Sequence, residues 1–105
     1  MSAKVNNKAQ ILEVLHNSAK QLNALGVKRI GLFGSFVSGS QTEDSDVDIF
    51  VEFFSAQHTF DNFMELAFLL EDQFGRRVEL VTPESLSPYL GPHIMQEVEI
   101  VPFAA

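Results

Sequence analysis

The sequence predicts a small α+β (α/β) domain in which a mixed β-sheet is flanked by helices. Three observations lead there. A stretch near the N-terminus has the apolar spacing of an amphipathic helix, residues 29–34, 46–53 and 77–82 have the content or alternation of strands, and a second helical stretch separates the last two of these runs. The 105 residues, 46% hydrophobic and including ten Phe, suit one domain over 1–105 with a core of its own.

From Ala9 to Leu25 the residues Ile11, Leu12, Leu15, Ala19, Leu22 and Leu25 recur at helical spacing, and Gly26 stands where a left-handed cap would end the helix. After a turn at Gly26-Val27-Lys28, the apolar run Arg29 to Gly34 reads as a buried strand. Ser35 to Ser45 is rich in Ser, with Gly39 and two acids, and reads as a loop with one helical turn around Phe36 to Ser38. Asp46 to Phe53 alternates, apart from Phe50, and places Val47, Ile49, Val51 and Phe53 on the core face of a second strand.

Thr59 is the expected cap of a helix starting at Phe60. Phe60, Phe63, Met64, Ala67, Leu70 and Phe74 trace its inner face, and Gly75 closes it. Leu66, Phe68 and Leu69 widen the apolar arc, either to fill a crowded core or to meet a partner. Arg77 to Thr82 alternates as a third strand stopped by Pro83. The remainder, punctuated by Pro88, Gly91, Pro92 and Pro102, predicts helical pieces around 84–87 and 92–97 and a final extended turn.

Composition removes several function classes. With no Cys there is no disulfide framework, thiolate zinc site or Cys nucleophile, and a soluble cytoplasmic protein is the expectation. The longest apolar run, Leu66 to Leu70, is too short for a membrane span. A formal charge of −7 argues against a broad basic face for nucleic acid. That charge is uneven: residues 1–29 hold five basic residues against Glu13, and the rest holds Arg76 and Arg77 against 13 acids.

The chemistry gathers where one strand ends and the next begins. Asp46 and Asp48, two apart in a strand, project from the same face with Cα atoms ~7 Å apart. Paired carboxylates are hard oxygen ligands that suit Mg²⁺ shared with substrate phosphates. Glu79, between the core-facing Val78 and Leu80, points the other way from its strand, and joins the pair if the second and third strands are neighbours. Three acids on one sheet face are what metal-assisted phosphoryl or nucleotidyl transfer requires. Gly34 permits close approach of a phosphate to the backbone, Ser35 offers a hydroxyl, and Gly39 permits the chain to turn back toward the acids. Arg76 and Arg77 are either solvated charges at a strand entry or aids to a phosphate. His16, His58 and His93 have no metal-binding spacing.

Two competing motifs fail on named residues. A Walker A loop from Gly34 to Gly39 has the right interval, but Ser40-Gln41 replaces the required Lys-Ser/Thr. A calcium loop starting at Asp44 needs glycine where Ile49 stands and a carboxylate where Ser55 stands.

Gly34-Ser35, ten intervening residues, then Asp46-Val47-Asp48 resembles the signature of the nucleotidyltransferase superfamily with the DNA polymerase β fold. The short length is similar to its minimal nucleotidyltransferase branch, often paired with HEPN-domain proteins in toxin–antitoxin systems. The likeness runs from the first helix through Val78 to Leu86. It implies that Asp46 and Asp48 bind Mg²⁺, that Gly34 and Ser35 hold the triphosphate of ATP, and that Glu79 is the third acid and a base. It further implies transfer of AMP from ATP to a hydroxyl, a tyrosine, of a HEPN toxin. The chain carries Phe36, Val37 and Ser38 where many relatives have a loop arginine, which admits a second reading as an antitoxin that acts by occlusion alone. Either way the partner supplies the wall that a domain of this size lacks. The sequence leaves open whether the assembly is a homo- or a hetero-oligomer.

Overall fold

The computed structural model describes residues 4–103. Helices α1 (Lys8–Asn17) and α2 (Ala19–Ala24) lead into strand β1 (Val27–Phe33). The one-turn helix α3 (Ser35–Ser38) and a loop connect it to β2 (Val47–Phe53). Helix α4 (Phe60–Phe74) crosses to β3 (Val78–Val81), and α5 (Gly91–Glu97) precedes β4 (Glu99–Ile100). The sheet order is β3-β2-β1-β4, with β2 and β3 parallel and the other pairs antiparallel. The expected mixed sheet with flanking helices is the fold observed.

One face of the sheet carries the core. Ile30 and Leu32 from β1 and Val47, Ile49, Val51 and Phe53 from β2 pack with Ile11, Leu15 and Leu22 of the first helices and Leu66, Leu70 and Phe74 of α4. Burying each of the larger of these side chains contributes about 2 kcal/mol. Alternation sends Gly31, Phe33, Asp48, Phe50 and Glu52 to the opposite face. Phe50 is fully buried there, with the Arg29 guanidinium 5.7 Å from its ring centre. Gly31 admits the C-terminal segment: a Cβ at that position would stand 2.6 Å from Cγ1 of Val98.

The elements depart from expectation in four places. The N-terminal helix is two helices, because Ser18 (φ −97°, ψ 11°) leaves helical geometry, although its N–H still donates to Val14 O at 2.9 Å. Val27 and Lys28 belong to β1 rather than to a turn, since Val27 pairs with Phe53. On α4 the inner stripe is Leu66, Leu70 and Phe74; Phe60 is 77% exposed, and of the residues expected to widen the arc Leu66 is core while Phe68 is outside. The reason is helical phase: Leu66, Leu70 and Phe74 repeat at four-residue spacing, and Phe60 falls off that line. Finally, the extended turn at the end is a strand, β4, joined to β1 by Gly31–Ile100 pairing and a 2.8 Å bond from Val101 N–H to Ile30 O. Two residues are too few for a periodic signal.

A buried arginine ties these parts together. Arg76, 8% exposed, follows the end of α4. Its Nε–H donates to Val5 O at 2.7 Å, and its Nη1 donates to the carbonyls of Thr42, Glu43 and Ser45 at 3.0, 3.1 and 2.8 Å. The guanidinium also lies 5.0 Å from the ring centre of Phe36 in α3. One cation thus fixes the N-terminal segment, α3 and the loop entering β2. We expect Arg76→Ala to destabilise the fold by about 3 kcal/mol in urea unfolding, because four carbonyls, one buried and three partly buried, lose a charged donor together. Arg76→Lys keeps the charge without the fork and recovers part of this.

Candidate active site

The sheet register assembles the site. Phe33, the last residue of β1, pairs with Asp48, so Gly34 and Ser35 begin α3 beside that aspartate. On its other side Asp48 pairs with Glu79. β2 and β3 are thus neighbours, which is the condition for Glu79 to join the aspartates, and Asp48 stands between the Gly-Ser turn and the third acid. Asp46 comes immediately before β2, is exposed, and is close enough for its charge to act on Asp48.

Gly34 has φ 79° and ψ −148°, a conformation that only glycine adopts comfortably. A Cβ built on it would overlap Oδ2 of Asp48. The aspartate thus rests on bare backbone, which is the close approach that a glycine at this strand end permits. Ser35 is half-buried as the first residue of α3. The N–H groups of Val37 and Ser38 turn back to Gly34 O, both at 3.1 Å. Gly39 serves the turn and not the cluster: it ends α3 at φ 82°, its N–H bonds Ser35 O at 2.9 Å, and no atom lies within 4 Å of where its Cβ would stand.

The electrostatics single out Asp48. Its carboxyl is pushed up from 3.8 to about 6, first by burial, then by the charge of Glu79, the hydrogen bond to Glu79 and the charge of Asp46. Negative charge is crowded here, and a cation would relieve it. The oxygen donors suit a hard divalent ion such as Mg²⁺. Among the described residues no three His or acidic side chains form a ready-made metal cage. The histidines lie elsewhere; His58 stacks on Phe53 at 5.4 Å, at the far end of β2. Arg76, which holds the loop before Asp46, gave no periodic or motif signal, and its position after the α4 cap is the one hint the sequence offers.

Two outcomes follow. A carboxyl whose folded-state value is raised stabilises the fold below the ordinary 3.8, and that stabilisation is lost as pH rises through about 6. In metal-free buffer the wild-type chain should lose about 1 kcal/mol relative to Asp48→Asn between these pH values, the figure being reduced for solvent screening. Added Mg²⁺ should reverse the loss at neutral pH, read as a rise in melting temperature. Gly34→Ala should cost on the order of 3 kcal/mol and weaken that Mg²⁺ response, because the new methyl displaces Asp48.

Comparison with known proteins identifies the family and the fold. The nucleotidyltransferase domain family matches residues 12–101. The protein adenylyltransferase MntA of Thermococcus cleftensis is 40% identical over 93 residues, covering 88% of this chain and 93% of its own. A solved minimal nucleotidyltransferase superposes with a TM-score of 0.69 at 30% identity, covering 84% of this chain and 93% of that one. A crystal structure of a toxin–antitoxin complex with AMP-PNP gives a TM-score of 0.67 at 25% identity, over 94% of this chain and 75% of the matched one. The Gly-Ser turn, the two aspartates and the mixed sheet that joins them to Glu79 all fall within the matched span, and the chain belongs to the nucleotidyltransferase domain family.

Proposed function

We propose that this chain is an Mg²⁺-dependent protein adenylyltransferase that moves AMP from ATP to a tyrosine hydroxyl of a HEPN toxin and so acts as its antitoxin. The observation that carries the reading is the row Gly34, Asp48, Glu79, set side by side by the pairing of β1, β2 and β3. The adenylyltransferase name of the Thermococcus cleftensis relative and the toxin–antitoxin complex with AMP-PNP support the donor and the setting.

In this reading Asp46, Asp48 and Glu79 hold the metal, which when bound neutralises phosphate charge and acidifies the attacking hydroxyl. Gly34 lets the triphosphate lie against backbone, and the Ser35 hydroxyl and the opening N–H groups of α3 bond its oxygens. The acceptor oxygen attacks the α-phosphorus, its bond forming as the bond to the bridging oxygen breaks. Pyrophosphate leaves with the electron pair. Glu79 accepts the hydroxyl proton. The carboxylates are solvent-accessible at the end of the strands, so an acceptor carried on another protein can reach them.

The test is incubation with labelled ATP, Mg²⁺ and the HEPN partner, followed by intact mass and peptide mapping. We expect a partner mass gain in units of AMP on tyrosine, abolished with Asp46→Ala and Asp48→Ala together. An unlabelled partner that both the wild type and this double variant still inhibit would make the chain a binding antitoxin and sink the enzymatic reading.

A further inference from the structure

Helix α4 carries an apolar row that the core does not use. Phe60, Met64 and Phe68 stand four residues apart, so they line up along the helix outside the core stripe of Leu66, Leu70 and Phe74. Phe60 and Phe68 are exposed, the latter over 62% of its surface, and Met64 is half-buried. Acids accompany the row. Asp61 and Glu65 run beside it, Asp72 continues it by one turn, and all three are exposed. The helix holds four acidic residues and no Lys, Arg or His. Glu71 is occupied, accepting from the Val78 N–H at 3.0 Å, whereas among the described residues Asp61, Glu65 and Asp72 enter no ion pair. None of this favours the isolated domain: the phenyl rings stay hydrated, acids four apart repel, and Asp72 in the last turn opposes the helix dipole.

The charge decides what fits. Pairing with the same face of a second copy would set carboxylates against carboxylates, and the row repels anionic lipid and nucleic acid alike. Nor does another face of a second copy match, since most basic residues of the first 29 are engaged: Lys4 by Glu43, Lys8 by Glu99 and Arg29 by Glu52. A segment with an apolar side flanked by Lys or Arg answers both features. Size indicates a single helix, because the row from Phe60 to Phe68 is ~12 Å long and falls well short of the ~800 Å² that each partner of a standard globular interface buries. Helix α4 packs on the core side of the sheet, so an occupant here leaves Asp48 on the opposite side uncovered.

We propose that the outer face of α4 is a docking surface for a basic amphipathic helix of another protein. The apolar side of that helix covers Phe60, Met64 and Phe68, and its Lys or Arg residues pair with Asp61, Glu65 and Asp72. The surface is separate from the nucleotidyltransfer site and the assignment does not depend on that activity.

Fluorescence anisotropy with two labelled synthetic helices of about 20 residues tests this, one with Leu along one side and Lys and Arg beside it, the other with Glu at every basic position. The basic peptide should bind the full chain, more weakly as salt rises, and the acidic one should not bind. Phe60→Ser with Phe68→Ser should weaken the basic peptide ~10-fold or more, and Glu65→Gln with Asp72→Asn several-fold, with melting temperatures unchanged. Removing two acids elsewhere, Glu13→Gln with Glu97→Gln, should leave affinity within about twofold. Equal loss in that control pair reduces the binding to net charge and overturns the assignment. Affinity of the Phe pair within about twofold of wild type, or a fall in its melting temperature, overturns it as well. Self-association of the wild type in sedimentation velocity, or its binding to phosphatidylserine vesicles, if abolished in the Phe pair, gives the face to a second copy or to a membrane and also overturns the assignment.

Discussion

The Arg76 guanidinium is the constraint on which the arrangement depends. A buried cation is tolerated here because carbonyl dipoles and an aromatic face surround it, and its partners come from three stretches of chain: Val5, the loop at Thr42 to Ser45, and Phe36 in α3. The loop between the Gly-Ser turn and Asp46 has little regular structure of its own. Local Ser and Thr bonds, such as Thr42 N–H to Ser45 Oγ at 2.8 Å, shape it, but the arginine anchors it to the body of the domain. Because the acceptors are neutral carbonyls, this anchorage keeps its strength across the acid range in which Asp48 titrates. The frame and the charge it carries respond to pH separately.

Inside that frame, polarity divides the sheet by face. Core side chains fill the side under α1, α2 and α4, and the same alternation that buries Val47, Ile49 and Val51 turns Asp48 outward. Glycine then does on the outer face what a side chain could not. Gly34 makes room for a carboxylate, and Gly31 for the C-terminal segment that closes over the far part of that face. The cluster is therefore a by-product of ordinary sheet pairing with two backbone positions kept bare.

Much of this was legible in the sequence because its signals are local. Alternation located β2 and β3, Thr59 and Gly75 bracketed α4, and the spacing of Gly34-Ser35 to Asp46 and Asp48 pointed to residues that the sheet register brings together. What escaped depends on distant partners. The inner stripe of α4 was misjudged at Phe60 because several apolar residues compete for one helix face, and the sheet chooses Leu66, Leu70 and Phe74. β4 has no pattern of its own and exists through its bonds to β1. Arg76 reads in the sequence as either a solvated charge or an aid to a phosphate, and is neither, since nothing in a chain of letters reveals that carbonyls from residues 5 and 42–45 converge on it. Whether Glu79 reached the aspartates turned on strand order, which three strand segments alone leave open.

The sheet order also grades how firmly each acid is held. Asp48 lies on a strand laced on both sides, to β1 and to β3, and its side chain leans on Gly34. Glu79 lies on a four-residue edge strand with a neighbour on one side. Asp46 precedes the ladder and is steadied through the loop that Arg76 fastens. In mechanical terms the cluster is held in three different ways: Asp48 by two strands and a bare backbone, Glu79 by one strand, and Asp46 by a loop pinned to a buried cation.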